Sequence, residues 1–215
     1  MRVSKVRGGS IDASKRCKSY VSTEHSTPEK SEDFDLTLYT EIHKNLVLED
    51  KVKPSPLHKH KISKEYRTKM VDWMVEVTTS FKCTVRTYFL AVALFDEYLR
   101  AQQGVKVMEN SDVHGVGVAA MYLASKYEDI YPLHSRVVSE KISHGAFSQK
   151  SILKKEEEFL KLFQFQFDFV TTYDIFQTYM QLIKKKIVTN ESKETEAANL
   201  KKIEELSLLL VRMSI

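Results

Sequence analysis

Met70, Trp73, Met74, Val77 and Phe81 fall at i, i+3, i+4, i+7 and i+11, the spacing of one apolar helix face, and Ser63 stands ahead of them as a candidate N-cap. Residues 84–99 are apolar almost all round, through Tyr88, Phe89, Leu90, Val92, Leu94, Phe95, Tyr98 and Leu99. A helix with so little polar surface belongs in the middle of a bundle. Residues 111–126 carry Gly115, Gly117, Ala119, Ala120, Ala124 and Ser125, small side chains that let neighbouring helix axes approach, so this helix too is expected to be central. Pro132 ends the following turn and a short helix is predicted over residues 137–143. A fifth helix starts after Ser148 and presents Ile152, Leu153, Phe159, Leu160 and Phe163.

Upstream, Leu38, Ile42 and Leu46 recur at helical spacing until Pro54 and Pro56 forbid continuation. This predicts one short amphipathic helix and an extended linker within residues 36–62. Residues 1–35, rich in Ser, Thr, Lys and Arg and without a helical or strand period, read as a disordered tail. Lys15-Arg16-Cys17-Lys18 has the form of a nuclear-import signal, although such tetramers are more often plain solvated charge. Thr27-Pro28-Glu29-Lys30 has the form of a proline-directed kinase site, which makes Thr27 a candidate phosphosite. After Thr171 there is room for one helix to Ile187, a polar loop and another helix to about Met213. Two helices cannot enclose a second core, so Leu206, Leu208, Leu209, Leu210 and Val211 are expected to find partners only on the first unit.

Composition agrees with an all-α protein: 6 Gly and 4 Pro in 215 residues leave little for the turns that an all-β chain consumes. Cys17 and Cys83 match no metal-ligand or redox spacing, which suits a reducing compartment, and no apolar run approaches the roughly 20 residues that span a bilayer. The net charge of +4 lacks the concentrated basic stripe of a nucleic-acid binder. Neither nucleic acid nor membrane is therefore an expected partner. No nucleophile elbow, P-loop, dinucleotide fingerprint or His/Cys/carboxylate cluster with ligand spacing occurs, so no catalytic residue, cofactor or metal is expected. His58 and His60, one residue apart in a Lys-rich linker, are expected to be exposed.

Four charged residues stand in apolar surroundings. Arg67 opens the Trp73 helix and Asp96 interrupts the most hydrophobic one; if both point inward they must pair, because an unpaired buried charge costs several kcal/mol, roughly. Lys126 follows the run of small residues, and Glu156 lies inside the stripe of the fifth helix. By position alone, the last two read as surface charges.

Their frame changes that reading. Tyr66-Arg67-Thr68-Lys69-Met70-Val71-Asp72-Trp73-Met74-Val75-Glu76-Val77 and Ala119-Ala120-Met121-Tyr122-Leu123-Ala124-Ser125-Lys126-Tyr127-Glu128-Asp129-Ile130-Tyr131-Pro132 resemble a cyclin box of the A/B (mitotic) type. The resemblance covers about residues 38–167 and implies a five-helix cyclin box over residues 63–168, preceded by an N-terminal helix and followed by an incomplete second box over residues 169–215. It implies a regulatory subunit that forms a heterodimer with a cyclin-dependent serine/threonine kinase and activates it in the cell cycle, in the nucleus and cytoplasm, with no catalytic group of its own. The resemblance assigns Lys126 and Glu156 as a linked pair that hydrogen-bonds kinase backbone. It assigns Ile42, Leu123, Tyr127, Leu160, Phe165 and Phe167 as further kinase contacts, and Arg67 with Asp96 as an internal brace.

The family's substrate-docking patch falls on Tyr66, Arg67, Lys69, Met70, Trp73 and His114. Lys69 stands where that pattern has an apolar Ile, His114 where it has Gln, and Gly115 where it has Leu, which implies a small void or a tighter helix approach. Weak capture of R-x-L substrates follows. The changed patch and short second box leave an alternative, a cyclin-fold adaptor or transcription-related module without kinase activation. Retention of Lys126 and Glu156 favours the kinase regulator.

Overall fold

The computed structural model describes residues 41, 44, 45, 53–188 and 193–213. The first helix of the box, α1 (Lys64–Ser80), is followed by α2 (Val85–Gln102) and α3 (Asn110–Glu128). Next come α4 (Ser135–Val137), which runs directly into a π-helical turn (Val138–Ile142), and α5 (Gln149–Phe163). Two further helices follow, α6 (Thr172–Val188) and α7 (Lys193–Met213). The all-α architecture expected of the sequence is present, and no described helix is long and apolar enough to cross a membrane.

The two most apolar helices form the centre. α2 and α3 share the most extensive packing, α1 lies against both, and α5 packs on α3. Phe95, Leu94, Leu99, Met74, Met121 and Phe159 are wholly buried among them. The small residues of α3 permit close approach: a Cβ at Gly117 would stand 2.2 Å from Met70 Cε, so the Met70 side chain occupies that space. At Gly115 there is no void, because the Phe147 ring lies 3.4 Å from where a Cβ would be.

Local chemistry sets the helix ends. Thr84 caps α2 by accepting from Thr87 N, Ser148 caps α5 by accepting from Ser151 N, and Glu109 with Asp112 form a capping box at α3. Ser63 occupies the cap position of α1, but its side chain makes no bond to the helix backbone. The short helix begins at Ser135, two residues before the expected start, and its π turn widens it around buried Val138 and Ile142. Leu153, expected on the apolar stripe of α5, is exposed.

The linker differs from expectation. Residues 56–59 form turns rather than an extended run, and His60 is half-buried, not exposed. Its Nδ1 accepts from Met108 N at 3.1 Å, which places the proton on Nε2 for donation to Leu99 O at 2.8 Å. Arg100 donates to Pro54 O at 2.9 Å and Gln103 to Ser55 O at 2.8 Å, so the segment is bound along the end of α2. His58 is exposed.

After the box, Tyr173 of α6 stacks on Phe89 at 5.4 Å, and Phe176 and Met180 are buried. Leu208 and Val211 of α7 pack against the first core, while Leu206, Leu209 and Leu210 remain exposed. One face of α7 therefore joins the box.

Candidate functional site

Lys126 stands in the last turn of α3, where a cation meets the negative end of the helix dipole. Its ammonium lies 2.6 Å from Glu156 Oε1 on α5 and 5.2 Å from the centre of the Tyr122 ring. The Glu156 hydrogen bond, opposed by partial burial, raises the Lys126 pKa above its ordinary value. Glu156 is 8% exposed and Lys126 is 42% exposed, so the carboxylate is the fixed member and the ammonium faces outward. An ammonium has three donors, of which Glu156 takes one. Such a pair offers N–H donors and a carboxylate acceptor side by side, matching the carbonyls and amides of a main-chain segment.

Apolar groups frame the pair unevenly. Tyr127 is 54% exposed and Phe165 is 71% exposed, and Leu160 is half-buried. Leu123 and Phe167, assigned as contact residues by resemblance, are only 5% and 6% exposed. Both belong to the core beneath the rim: Phe167 packs edge-on to Tyr127 and Phe163, with centroids 5.9 and 6.2 Å away. They support the rim instead of forming its surface. Phe165 reaches solvent because α5 ends in two left-handed residues, Gln164 (φ 52°) and Phe165 (φ 63°), an arrangement sparsely populated for non-glycine residues. Ile130 and Tyr131, just beyond Lys126, are 89% and 91% exposed, and the sequence motif gave no sign of their direction. Ile42 and Thr27 lie outside the described residues.

The end of α3 is anchored by Asp129, which sequence reasoning left as part of a motif. Its Oδ1 accepts from Thr84 N at 2.8 Å and Thr87 Oγ1 at 2.6 Å, and its Oδ2 accepts from Ser125 Oγ at 2.7 Å. Burial raises its pKa, but the bonds from Thr87, Thr84 and Ser125 outweigh burial and hold it below the ordinary carboxylate value. Beside it, burial and the Asp129 charge push the Cys83 thiol up to about 12. Asp129 thus ties the α1–α2 turn to the helix end that carries Lys126. The available signal was a polar carboxylate directly after a helix C-terminus, but its partners are 42 and 45 residues earlier.

The internal brace is bidentate: Arg67 Nε meets Asp96 Oδ1 at 2.9 Å and Nη2 meets Oδ2 at 2.8 Å. The side chains are 18% and 13% exposed, and the Asp96 hydrogen bond raises the Arg67 pKa against opposing burial. Between α1 and α3, Tyr66, Lys69 and Trp73 border an open groove that His114 of α3 also lines. Met70 is mostly buried and contributes only to its floor, because its side chain fills the space over Gly117.

The helical box thus carries a charged pair beside exposed aromatic side chains. The chain belongs to the cyclin family: residues 38–168 match the family described as "Cyclin, N-terminal domain". It is 33% identical over 139 residues to G2/mitotic-specific cyclin-A of Drosophila melanogaster, which covers 62% of this chain and 27% of the relative. It is 34% identical over 122 residues to Cyclin-A1 of Homo sapiens (56% and 25%) and 34% over 112 residues to G2/mitotic-specific cyclin-B of Emericella nidulans (52% and 22%). The chain thus spans about a quarter of the length of these relatives. A viral cyclin from herpesvirus saimiri shares the fold, with a TM-score of 0.56 at 17% identity, over 67% of this chain and 61% of that one. Cyclins are regulatory subunits rather than enzymes, and they act in cell-cycle control.

Proposed function

We propose that this chain binds and activates a cyclin-dependent serine/threonine kinase as its regulatory subunit in mitosis. The observation that carries this reading is the Lys126–Glu156 pair, 2.6 Å apart on a rim bordered by Tyr127, Leu160 and Phe165. The two residues that the family uses to hold kinase backbone are thereby juxtaposed, although they are 30 positions apart in sequence. Activation requires the kinase's Lys/Glu pair and metal-binding Asp to be in register before phosphoryl transfer is fast. A docked cyclin favours that arrangement by binding it more tightly than the inactive one, a population shift to which it contributes no catalytic group. Substrates with an R-x-L motif are recruited weakly on this reading, because Lys69 places a cation in the docking groove.

The test is capture of a kinase from extract on the immobilised chain, followed by a histone phosphorylation assay. Lys126→Ala should lose kinase binding and stimulated activity, but it also leaves the buried Glu156 carboxylate without its partner and lowers the melting temperature, so the double variant Lys126→Ala/Glu156→Gln, which leaves no uncompensated charge, is the control that should lose kinase binding while melting closer to wild type than Lys126→Ala. Undiminished capture by either variant would refute the role of the pair. Capture without stimulated phosphorylation would favour the adaptor reading.

A further inference from the structure

On α7, Ile203, Leu206, Leu209, Leu210 and Met213 are between 46% and 75% exposed. Their spacing places them on one stripe, opposite the side on which Leu208 and Val211 pack against the box. A groove of about 610 Å³ follows one flank of the stripe, lined by Lys202, Glu205, Leu206, Leu208, Leu209 and Arg212. Large apolar side chains clustered in this way, with a polar border, mark an association surface.

The charges on that flank say what covers it. Glu205 and Arg212 stand seven residues apart, about two turns, and share the flank. Neither has an ion-pair partner among the described residues, and the buried Nε of Arg212 has no hydrogen-bond partner there. Glu204, which turns towards α6, is by contrast held by Lys184 at 3.0 Å. When two copies of one helix pack antiparallel about a two-fold axis, each flank meets the same flank of the other copy. An axis between Leu208 and Leu209 sets Glu205 opposite Arg212 of the second copy and Arg212 opposite its Glu205, so one placement closes both pairs. The same placement brings Leu206 near Leu210 and Ile203 near Met213. In a parallel pair each flank meets the other flank, where residues 203–213 offer Ser207 and no charge. Lys201 and Lys202, one turn before Glu205, are the cations nearest to the contact; both are exposed and lie towards the end of the paired stretch, so their ammonium groups stay in water.

We propose that this chain forms a symmetric antiparallel dimer through the exposed stripe of α7, with two Glu205–Arg212 pairs across the axis. The proposal goes beyond the kinase reading and is independent of it, since neither Lys126 nor Glu156 lines the groove. About three helical turns from each copy bury less than the ~1,200 Å² of a standard interface, so the dissociation constant is on the order of 10 to 100 µM.

Sedimentation velocity of the full chain from about 5 to about 200 µM tests this, and wild type should pass from monomer towards dimer across that range. Leu209→Lys, at an exposed position near the axis, should stay monomeric while melting with wild type. Glu205→Arg and Arg212→Glu should each weaken dimerisation about three- to tenfold by setting like charges opposite, and an equimolar mixture of the two should recover wild-type association, because each contact then joins opposite charges. Glu205 is exposed, so its variant gives the charge result even where Arg212→Glu does not fold. A wild-type chain that stays monomeric to about 200 µM would overturn the proposal and leave the stripe to a different protein. A dimer that survives Leu209→Lys, or a Glu205→Arg variant that dimerises like wild type, would overturn it equally.

Discussion

Replacing Asp129 by alanine removes the acceptor for three hydrogen bonds at once, from Thr84 N, Thr87 Oγ1 and Ser125 Oγ. The loss is smaller than three full bonds. Thr87 retains Thr84 Oγ1 at 2.8 Å, Ser125 still accepts from Leu133 N at 3.0 Å, and water can reach the exposed Thr84 amide. What remains is the loss of two charge-assisted bonds from wholly buried hydroxyls, about 1.5 kcal/mol each at the lower end for bonds to a charged group because each hydroxyl keeps another partner, or roughly 3 kcal/mol together. For a chain of this size that lowers the melting temperature by about 6 to 12 °C. Asp129→Asn, which keeps one carbonyl oxygen, should lose about half as much. Thermal denaturation followed by circular dichroism measures both. A second readout is Cys83: removing the adjacent charge should bring the thiol pKa down from about 12, while burial keeps it above the ordinary value. Alkylation at pH 9 in a Cys17→Ser background should therefore be faster in Asp129→Ala. An Ala variant that melts with wild type and alkylates at the same rate would show that the carboxylate neither anchors the α3 end nor acts on the thiol.

Asp96→Ala should destabilise the box by about 3 kcal/mol or more, since Arg67 loses a bidentate carboxylate in a mostly buried setting; a urea midpoint equal to wild type would contradict this. His60→Ala should cost about 1 to 3 kcal/mol, because Met108 N and Leu99 O belong to buried residues and lose their imidazole partner. The check is a lower urea midpoint with unchanged slope. Asp112, bonded by Glu109 N, and Asp129 both have pKa values below the ordinary carboxylate range. Their contribution is present above about pH 4 and is lost as pH falls through the lowered folded values. The melting-temperature gap between wild type and an Asp112→Asn/Asp129→Asn double variant should close towards pH 2, and a constant gap from pH 5 to pH 2 would refute the linkage.

The helices were legible in the sequence because their causes are local. The spacing from Met70 to Phe81, the all-round apolarity of residues 84–99 and the small residues before Lys126 each act within one element, and each produced the expected helix. The demand that Arg67 and Asp96 pair was also legible, because charge inside apolar surroundings must be compensated wherever it lies. What tertiary structure decided were contacts between distant segments and the direction in which similar side chains point. Leu123 and Phe167 went into the core while Tyr127 and Phe165 went to solvent, a division set by how α3 meets α5 and by the left-handed turn after Phe163. His60 looked like a solvated linker residue, since a segment without periodicity has no inward face; its role depends on Leu99 in the last turn of α2 and Met108 in the loop before α3, 39 and 48 positions away. Asp129 escaped notice for the same reason: a carboxylate after a helix is ordinary until folding brings Thr84 and Thr87 to its Oδ1.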